Sequence, residues 1–269
     1  MDTLVNPCNE SLWQRLIDEI DVIVDEEPLL AGFLHSTILN HSDLASALSF
    51  HLANKLHSGT TPALMLREIF DSAFAGDPGI IDKVRCDIIA TYERDSACQN
   101  FSTPFLYYKG FHALAAYRVA HWLWQQQRNT LALVLQNRIS VVFGVDINPA
   151  AVIGKGIMFD HATSLVVGET AVIEDCVSIL QSVTLGGTGK ETGDRHPKVR
   201  RGVLIGPGAT ILGNIEIGEG SKITAASVVL KDVPPHSIVA GVPGKVVGTT
   251  STDDPAEKMD HGLEGCGSD

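Results

Sequence analysis

The sequence lacks the long apolar runs, cysteine pairs and basic surplus that mark several common classes of protein. Its 269 residues contain no stretch approaching the roughly 18 apolar residues of a membrane-spanning helix. The five cysteines are odd in number and include no C-x-x-C pair, which disfavours a disulfide framework or a zinc site. The 20 basic residues against 32 acidic ones give a net charge of −12, which disfavours nucleic acids and anionic membranes as partners. The polar, acidic start MDTLVNPCNESLW does not resemble a signal peptide, so we expect a cytoplasmic location.

The first 145 residues have the apolar spacing of amphipathic helices, with apolar positions three and four residues apart. Ser42, Thr61 and Thr103 are candidate N-caps, and a proline directly follows the last two. Gly76 is a candidate helix stop. We therefore predict that this region is helical and that its apolar faces form helix core.

Beyond residue 146 the apolar period changes to six. This spacing predicts coils of three short strands, each directing one aliphatic side chain inward. A β-sandwich is disfavoured because its period of two is absent. The register breaks between Leu185 and Ile205, where GGTGKETGDRHPKVRRG predicts a protruding loop. The inward positions are predicted to be Ile147, Ile153, Phe159, Val167, Ile173, Ile179, Leu185, Ile205, Ile211, Ile217, Ile223 and Val229.

Two residues of the repeat region have the chemistry of a general base and its partner. His161 lies in FDHATS, and Asp146 lies 15 residues earlier, close to the length of one coil. A neutral histidine held by a carboxylate is a suitable base near neutral pH. The alternative, a solvated histidine at a coil corner, stays open on spacing alone.

The predicted loop carries a basic cluster in an otherwise acidic chain. Arg195 could clamp a carboxylate beside His196, and a solvated basic loop is the open alternative. GGTGK fails the phosphate-binding pattern, because Thr184 and Glu191 stand where Gly and Ser or Thr are required. Cys176 is more simply a buried thiol than a nucleophile. The basic cluster comprises Lys190, Arg195, Lys198, Arg200 and Arg201.

Three stretches make a resemblance specific. DINPAAVIGKGIMFDHATSLVVGETAVIEDCVSILQSVTLGGTGK, GDRHPKVRRGVLIGPGATILGNIEIG and VPPHSIVAGVPGKVVG resemble the serine acetyltransferase family. YERDSA and FSTPFLYYKGFHALAAYRVAHWLW resemble its helical domain, so the likeness spans roughly residues 12–248. The implied fold is α+β, with an N-terminal helical domain before a left-handed parallel β-helix. The implied division is a helical oligomerisation domain (1–145) and a hexapeptide-repeat catalytic domain (146–248). The polar composition of residues 249–269 predicts a disordered tail.

The resemblance implies acetyl transfer from acetyl-CoA to the hydroxyl of L-serine, giving O-acetyl-L-serine for cysteine biosynthesis. It implies no permanently bound cofactor and no metal, with acetyl-CoA as co-substrate and L-cysteine as feedback inhibitor. It also implies trimers, paired into hexamers, with sites between subunits. By position, the matching residues are His161 (base) and Asp146 (orienting carboxylate); Asp95, Asp160, Arg195 and His196 (serine or cysteine); and Gly187, Ala225 and Lys222 (CoA).

The chain departs from the family pattern at three places. Pro207 replaces the usual alanine and cannot donate an amide hydrogen bond to CoA. Asn148 replaces a usual histidine and cannot titrate. Family members commonly end in an isoleucine that binds O-acetylserine sulfhydrylase, whereas this chain ends in Asp269, so weak or absent binding is expected.

Two other classes of function use the same features. A carbonic anhydrase could hold zinc with His161, His196 and His236, although His236 comes late for that geometry. A non-catalytic scaffold could bind a partner through the helical region. Metal analysis distinguishes a carbonic anhydrase from an acyltransferase, and a thiol-release assay with acetyl-CoA and serine distinguishes a scaffold from an acyltransferase.

Overall fold

The N-terminal half is helical, as predicted. The computed structural model describes residues 9–189 and 192–262. A 3-10 turn (Pro28–Leu30) precedes α2, and a π-helical turn (His35–Leu39) follows it. The helices of this half are α1 (Asn9–Glu26), α2 (Ala31–Leu34), α3 (Leu44–Leu56), α4 (Ala63–Gly76), α5 (Gly79–Arg94), α6 (Ser102–Tyr107), α7 (Lys109–Gln125) and α8 (Asn129–Phe143).

The three predicted N-caps are wrong, and Thr103 lies inside α6, whose N-cap position is Phe101. Asp43, and not Ser42, caps α3, because its carboxylate accepts a 2.8 Å hydrogen bond from the backbone N–H of Ser46. At α4 the N-cap position is Pro62, which has no side-chain hydrogen bond to offer, so Thr61 is not the cap. Gly76 is the last residue of α4, as predicted.

Short strands begin directly after α8, beyond the left-handed Gly144. The change from helix to strand therefore falls next to the predicted boundary at 145/146. Whether the two regions are separate domains stays a prediction. The strands are β1 (Val145–Ile147), β2 (Val152–Ile153), β3 (Met158–Phe159), β4 (Leu165–Val167), β5 (Val172–Ile173), β6 (Ser178–Ile179), β7 (Thr184–Gly186), β8 (Lys198–Val199), β9 (Leu204–Ile205), β10 (Thr210–Leu212), β11 (Glu216–Ile217), β12 (Lys222–Ile223), β13 (Val228–Val229), β14 (Ser237–Ala240) and β15 (Lys245–Thr249).

The strands form a parallel β-solenoid of about five coils. Its three sheets have the orders β1-β4-β7-β10-β13, β11-β8-β5-β2 and β15-β14-β12-β9-β6-β3, in which only the β14–β15 pair is antiparallel. Phe159, Ile179, Ile205 and Ile223 are paired in register along the third sheet. All twelve predicted inward positions are buried, which confirms the period of six.

The predicted protruding loop is shorter than expected. β8 lies inside it and pairs with β5 and β11. Val199 supplies the inward aliphatic side chain of this coil, and its basic neighbours concealed that role in the sequence. Lys190 and Glu191, part of the same prediction, lie outside the described residues.

A buried ion pair joins the helices to the first coil. Arg118 of α7 donates two hydrogen bonds, of 2.9 and 2.7 Å, to Asp87 of α5. The second oxygen of Asp87 accepts from the backbone N–H of Ile157, and Arg118 also donates to the carbonyl of Gly154. Both side chains are almost fully buried, so α5, α7 and the Gly154–Ile157 turn form one unit.

The predicted disorder of residues 249–269 is wrong for the part that the structure describes. Residues 255–258 form a short helix, α9 (Pro255–Lys258), whose Ala256 packs with Leu180, Leu204 and Met259. Residues 263–269, including the chain end at Asp269, lie outside the described residues. No helix within the described ranges has both the length and the apolar character needed to cross a membrane.

Candidate active site

A cavity of about 420 Å³ lies where the helical region meets the first coil of the solenoid. It is bordered by the C-terminal end of α5, the start of α7 and the residues that follow β3. Three residues singled out in the sequence, Asp95, Asp160 and His161, meet there. The full lining is Asp95, Ala97, Tyr107, Tyr108, Lys109, Gly110, Phe159, Asp160, His161 and Thr163.

Gly110 allows α7 to approach the solenoid closely. A Cβ atom at this position would lie 2.1 Å from the carbonyl oxygen of Phe159, so no other residue fits without a backbone shift. Asp95 directly follows α5, where its carboxylate accepts a 2.8 Å hydrogen bond from the N–H of Ala97. The cavity is therefore set by packing between segments that are distant in sequence.

His161 is presented by a loop with unusual backbone angles. His161, Ala162 and Ser164 have φ values of 53°, 58° and 61°, in the left-handed region that non-glycine residues rarely adopt. The imidazole is 72% exposed, and its Nδ1 lies 3.8 Å from a carboxylate oxygen of Asp160. Such an exposed ring can meet a ligand that enters the cavity.

The electrostatics of the cavity favour a cationic group on a ligand. Burial raises the pKa of Asp160, the nearby Asp95 raises it further, and His161 opposes both effects. Two carboxylates thus share a partly desolvated space. An ammonium group placed between them would relieve their repulsion.

Asp146 is not hydrogen-bonded to His161 in the part of the chain that the structure describes. It lies on β1, and its Oδ1 accepts a 2.7 Å hydrogen bond from Gln136 of α8. Among the described residues, Asp160 places a carboxylate oxygen 3.8 Å from the imidazole. The predicted Asp146–His161 pair is therefore not formed within the described residues of one protomer.

Arg195 and His196 lie together, but they do not line this cavity. Arg195 donates a 2.6 Å hydrogen bond to Glu169, in the turn between β4 and β5. Thr170 ties the loop down, because its hydroxyl oxygen accepts from the backbone N–H groups of both Arg195 and His196. The two residues are thus fixed on the turn between β4 and β5.

His196 is held as a neutral ring. Its Nδ1 accepts a hydrogen bond of 3.2 Å from the backbone N–H of Thr170, so the proton of the neutral ring belongs on Nε2. Burial lowers the pKa of His196, and the neighbouring Arg195 lowers it further. The ring lies against Gly168, where an added Cβ atom would come within 2.0 Å of the imidazole.

The three residues matched to CoA have different surroundings. Gly187 lies beside Arg195, whose carbonyl oxygen would be 3.5 Å from an added Cβ atom. Ala225 lies on a solenoid corner, and its backbone packs against Gly206 of the preceding coil. Lys222 does not fit the prediction, because its side chain is 2% exposed and its ammonium donates to Asp260 and to the carbonyl of Gly262. The C-terminal segment covers it.

The two internal departures from the family pattern have local structural roles. Pro207 cannot donate a hydrogen bond, but its carbonyl accepts one from the N–H of Ala226 on the next coil. Asn148 accepts a 2.9 Å hydrogen bond from the N–H of Ala150, which closes the turn after β1. Neither residue lines the cavity.

Sequence reasoning missed Tyr108, Lys109 and Thr163, all of which line the cavity. One feature of Lys109 could have indicated a functional role from the sequence. It is the first residue of α7, where the positive end of the helix dipole disfavours a cation. Within residues 9–189 and 192–262, no group of three or more His, Cys, Asp or Glu side chains is arranged to hold a metal ion.

Comparisons with known proteins agree across the chain. The family model described as "Serine acetyltransferase, N-terminal" matches residues 12–116, and "Bacterial transferase hexapeptide (six repeats)" matches residues 196–231. The serine acetyltransferase of Salmonella typhimurium is 58% identical over 261 residues, which cover 96% of each chain.

Two solved structures are similarly close. A serine acetyltransferase in complex with cysteine has a TM-score of 0.93 at 57% identity, covering 95% of this chain and 100% of that one. The Brucella abortus serine acetyltransferase in complex with coenzyme A has a TM-score of 0.88 at 50% identity, covering 90% of this chain and 96% of that one.

Proposed function

The chain belongs to the serine acetyltransferase family, whose members are acyltransferases, and on that premise we propose that it acetylates the hydroxyl of L-serine with acetyl-CoA. The product would be O-acetyl-L-serine, a precursor for cysteine biosynthesis. The observation that carries the proposal is the meeting of Asp95, Asp160 and His161 in one cavity. These residues supply a base and an ammonium-binding pair, which are the groups that acetylation of an amino-acid hydroxyl requires.

In the proposed reaction, His161 accepts the proton of the serine hydroxyl as the oxygen attacks the thioester carbonyl carbon. The tetrahedral intermediate collapses, its carbon–sulfur bond breaks, and the imidazolium returns the proton to the departing CoA thiolate. No acyl-enzyme forms. A well-placed general base contributes a rate factor of roughly 10²–10⁴. We assign Asp146 as the carboxylate that orients the imidazole, through the oxygen that Gln136 does not hold.

Serine would be held by its two charged groups. Asp95 and Asp160 would bind the ammonium, since both carboxylates line the cavity. Arg195 and His196 would bind the carboxylate, with Arg195 exchanging Glu169 for the substrate. Because these two residues do not line the cavity of their own protomer, we propose that a neighbouring protomer supplies them, in trimers that pair into hexamers. L-cysteine carries the same ammonium and carboxylate and would compete for the same site.

Acetyl-CoA would lie along one corner of the solenoid. His161, Gln181, Pro207 and Ala225 each lie two residues beyond a paired apolar residue of β3, β6, β9 or β12, and therefore at equivalent positions on neighbouring coils. This column runs from the proposed base to the proposed CoA contact at Ala225. Gly187 would be a further contact. Lys222 is left out of this assignment because the C-terminal segment buries it.

Thiol release from acetyl-CoA, with and without L-serine, tests the proposal. The parent protein should release CoA only when serine is present, and His161→Ala should lower kcat by at least 100-fold. His236→Ala is the matched control, because His236 is also an exposed histidine with a left-handed φ, of 54°, outside the cavity lining. Turnover of His161→Ala within about threefold of the parent would place the base elsewhere.

A further inference from the structure

We propose that Lys109 is a positioning residue for this reaction, because its ammonium ties down the loop that presents His161. The ammonium donates a 2.5 Å hydrogen bond to the hydroxyl of Thr163, which lies two residues beyond His161. Lys109 and Thr163 both line the cavity. The inference rests on the function proposed above and adds a residue to it.

The location of Lys109 requires a hydrogen-bond acceptor for its ammonium. It is the first residue of α7, and the preceding Tyr108 makes no side-chain capping bond, so the positive end of the helix is not neutralised by a cap. A lysine ammonium is unfavourable there unless it finds a partner beyond the helix. The Thr163 hydroxyl is that partner.

The loop needs support because three of its residues have left-handed backbone angles. His161, Ala162 and Ser164 are β-carbon-bearing residues for which this conformation costs energy. Backbone hydrogen bonds hold the far end of the loop, from Ser164 N–H to the Gly144 carbonyl and from Ser182 N–H to the Thr163 carbonyl. The Lys109–Thr163 bond fastens the same loop to the helical layer.

Loosening this bond should affect turnover more than binding. A general base must lie within hydrogen-bond reach of the proton that it removes, so a mobile His161 lowers the fraction of productive complexes. The proposed CoA column extends from His161 away to Ala225 on distant coils, and it does not involve Lys109. The expected signature is a lower kcat with an unchanged KM for acetyl-CoA.

The experiment measures thiol release by the full-length oligomer for Lys109→Met, Thr163→Val and the double variant. Each single variant should lower kcat about tenfold, which corresponds to about 1.4 kcal/mol. The double variant should be no worse than either single one, because both remove the same bond. Thr163→Ser keeps a hydroxyl and should restore most of the turnover. Lys83→Met is the matched control, since Lys83 lies outside this cavity.

Three outcomes would overturn the inference. These are a kcat for Lys109→Met within twofold of the parent, an additive loss of about 100-fold in the double variant, or a higher KM for serine with unchanged kcat. The last result would make Lys109 a contact of the substrate carboxylate. A parent protein without serine-dependent thiol release would instead refute the proposed function. Oligomer size and thermal midpoint, compared with those of the parent, identify any variant that fails to fold.

Discussion

Removing the carboxylate of Asp87 should destabilise the protein far more than removing an exposed carboxylate from the same helix. Arg118 would lose both of its hydrogen bonds to the Asp87 carboxylate. Its guanidinium would nevertheless stay buried, since only 3% of the Arg118 side chain is exposed. The backbone N–H of Ile157 would also lose its acceptor. Breaking a buried ion pair in this way costs about 3–5 kcal/mol. That is a large share of a typical unfolding free energy of about 5–15 kcal/mol.

Asp82 provides the matched control on α5. It pairs with Arg85 at 2.8 Å, but 63% of the Asp82 side chain is exposed to solvent. Such a pair contributes about 0–1 kcal/mol, because water screens the charges. Asp87→Ala and Asp82→Ala remove the same atoms from the same helix, so the difference between them measures what the buried network of Asp87 contributes beyond an exposed ion pair.

The assay is urea unfolding at fixed protein concentration, because association of subunits shifts the transition. With a urea dependence of roughly 3 kcal/mol per molar for a chain of this size, the midpoint of Asp87→Ala should fall by about 1–1.7 M. Asp82→Ala should shift it by less than about 0.3 M. Replacing both partners, as Asp87→Leu with Arg118→Met, should recover part of the loss, since no buried charge is then left unpaired. Equal shifts for the two alanine variants would refute the reasoning.

Three further predictions concern ligand binding and acid stability. Arg195→Ala should raise the KM for serine and weaken cysteine inhibition in parallel, whereas a change confined to acetyl-CoA would make Arg195 a phosphate contact. Gly168→Ala should displace the His196 ring and raise the KM for serine at least fivefold in steady-state assays, with acetyl-CoA as the unaffected comparison. Burial lowers the pKa of His51 from 6.5 to about 3, so stability present above pH 6.5 is lost as the pH falls toward 3. The parent protein should therefore have a lower urea midpoint at pH 4.5 than at pH 7, and this difference should be smaller in His51→Leu. A difference as large as that of the parent would contradict the prediction.

Part of the site could be predicted because motifs lie within short stretches of chain. FDHATS contains both Asp160 and His161, and the structure places them side by side at the end of β3. Asp95 was predicted as a site residue only through the resemblance to a family. Nothing in its local sequence indicates that it lies in the same cavity as Asp160, which is 65 residues further along the chain. The Asp146–His161 pair is not formed within the described residues of one protomer, and Lys222 does not fit its predicted contact with CoA because it is buried against Asp260.

The sequence by itself determined the two kinds of secondary structure and the inward face of the solenoid. Periodic burial is a local property, so a period of six kept over twelve positions in two registers, from Ile147 to Val229, predicts coils. Only the tertiary structure decided that the end of α5 and the start of α7 both lie at the corner that carries His161. That junction depends on the Asp87–Arg118 pair and on the close approach at Gly110, contacts between residues distant in the chain. Contacts of this kind leave no periodic signal, because each depends on the shape of the partner surface and not on the residues beside it in sequence.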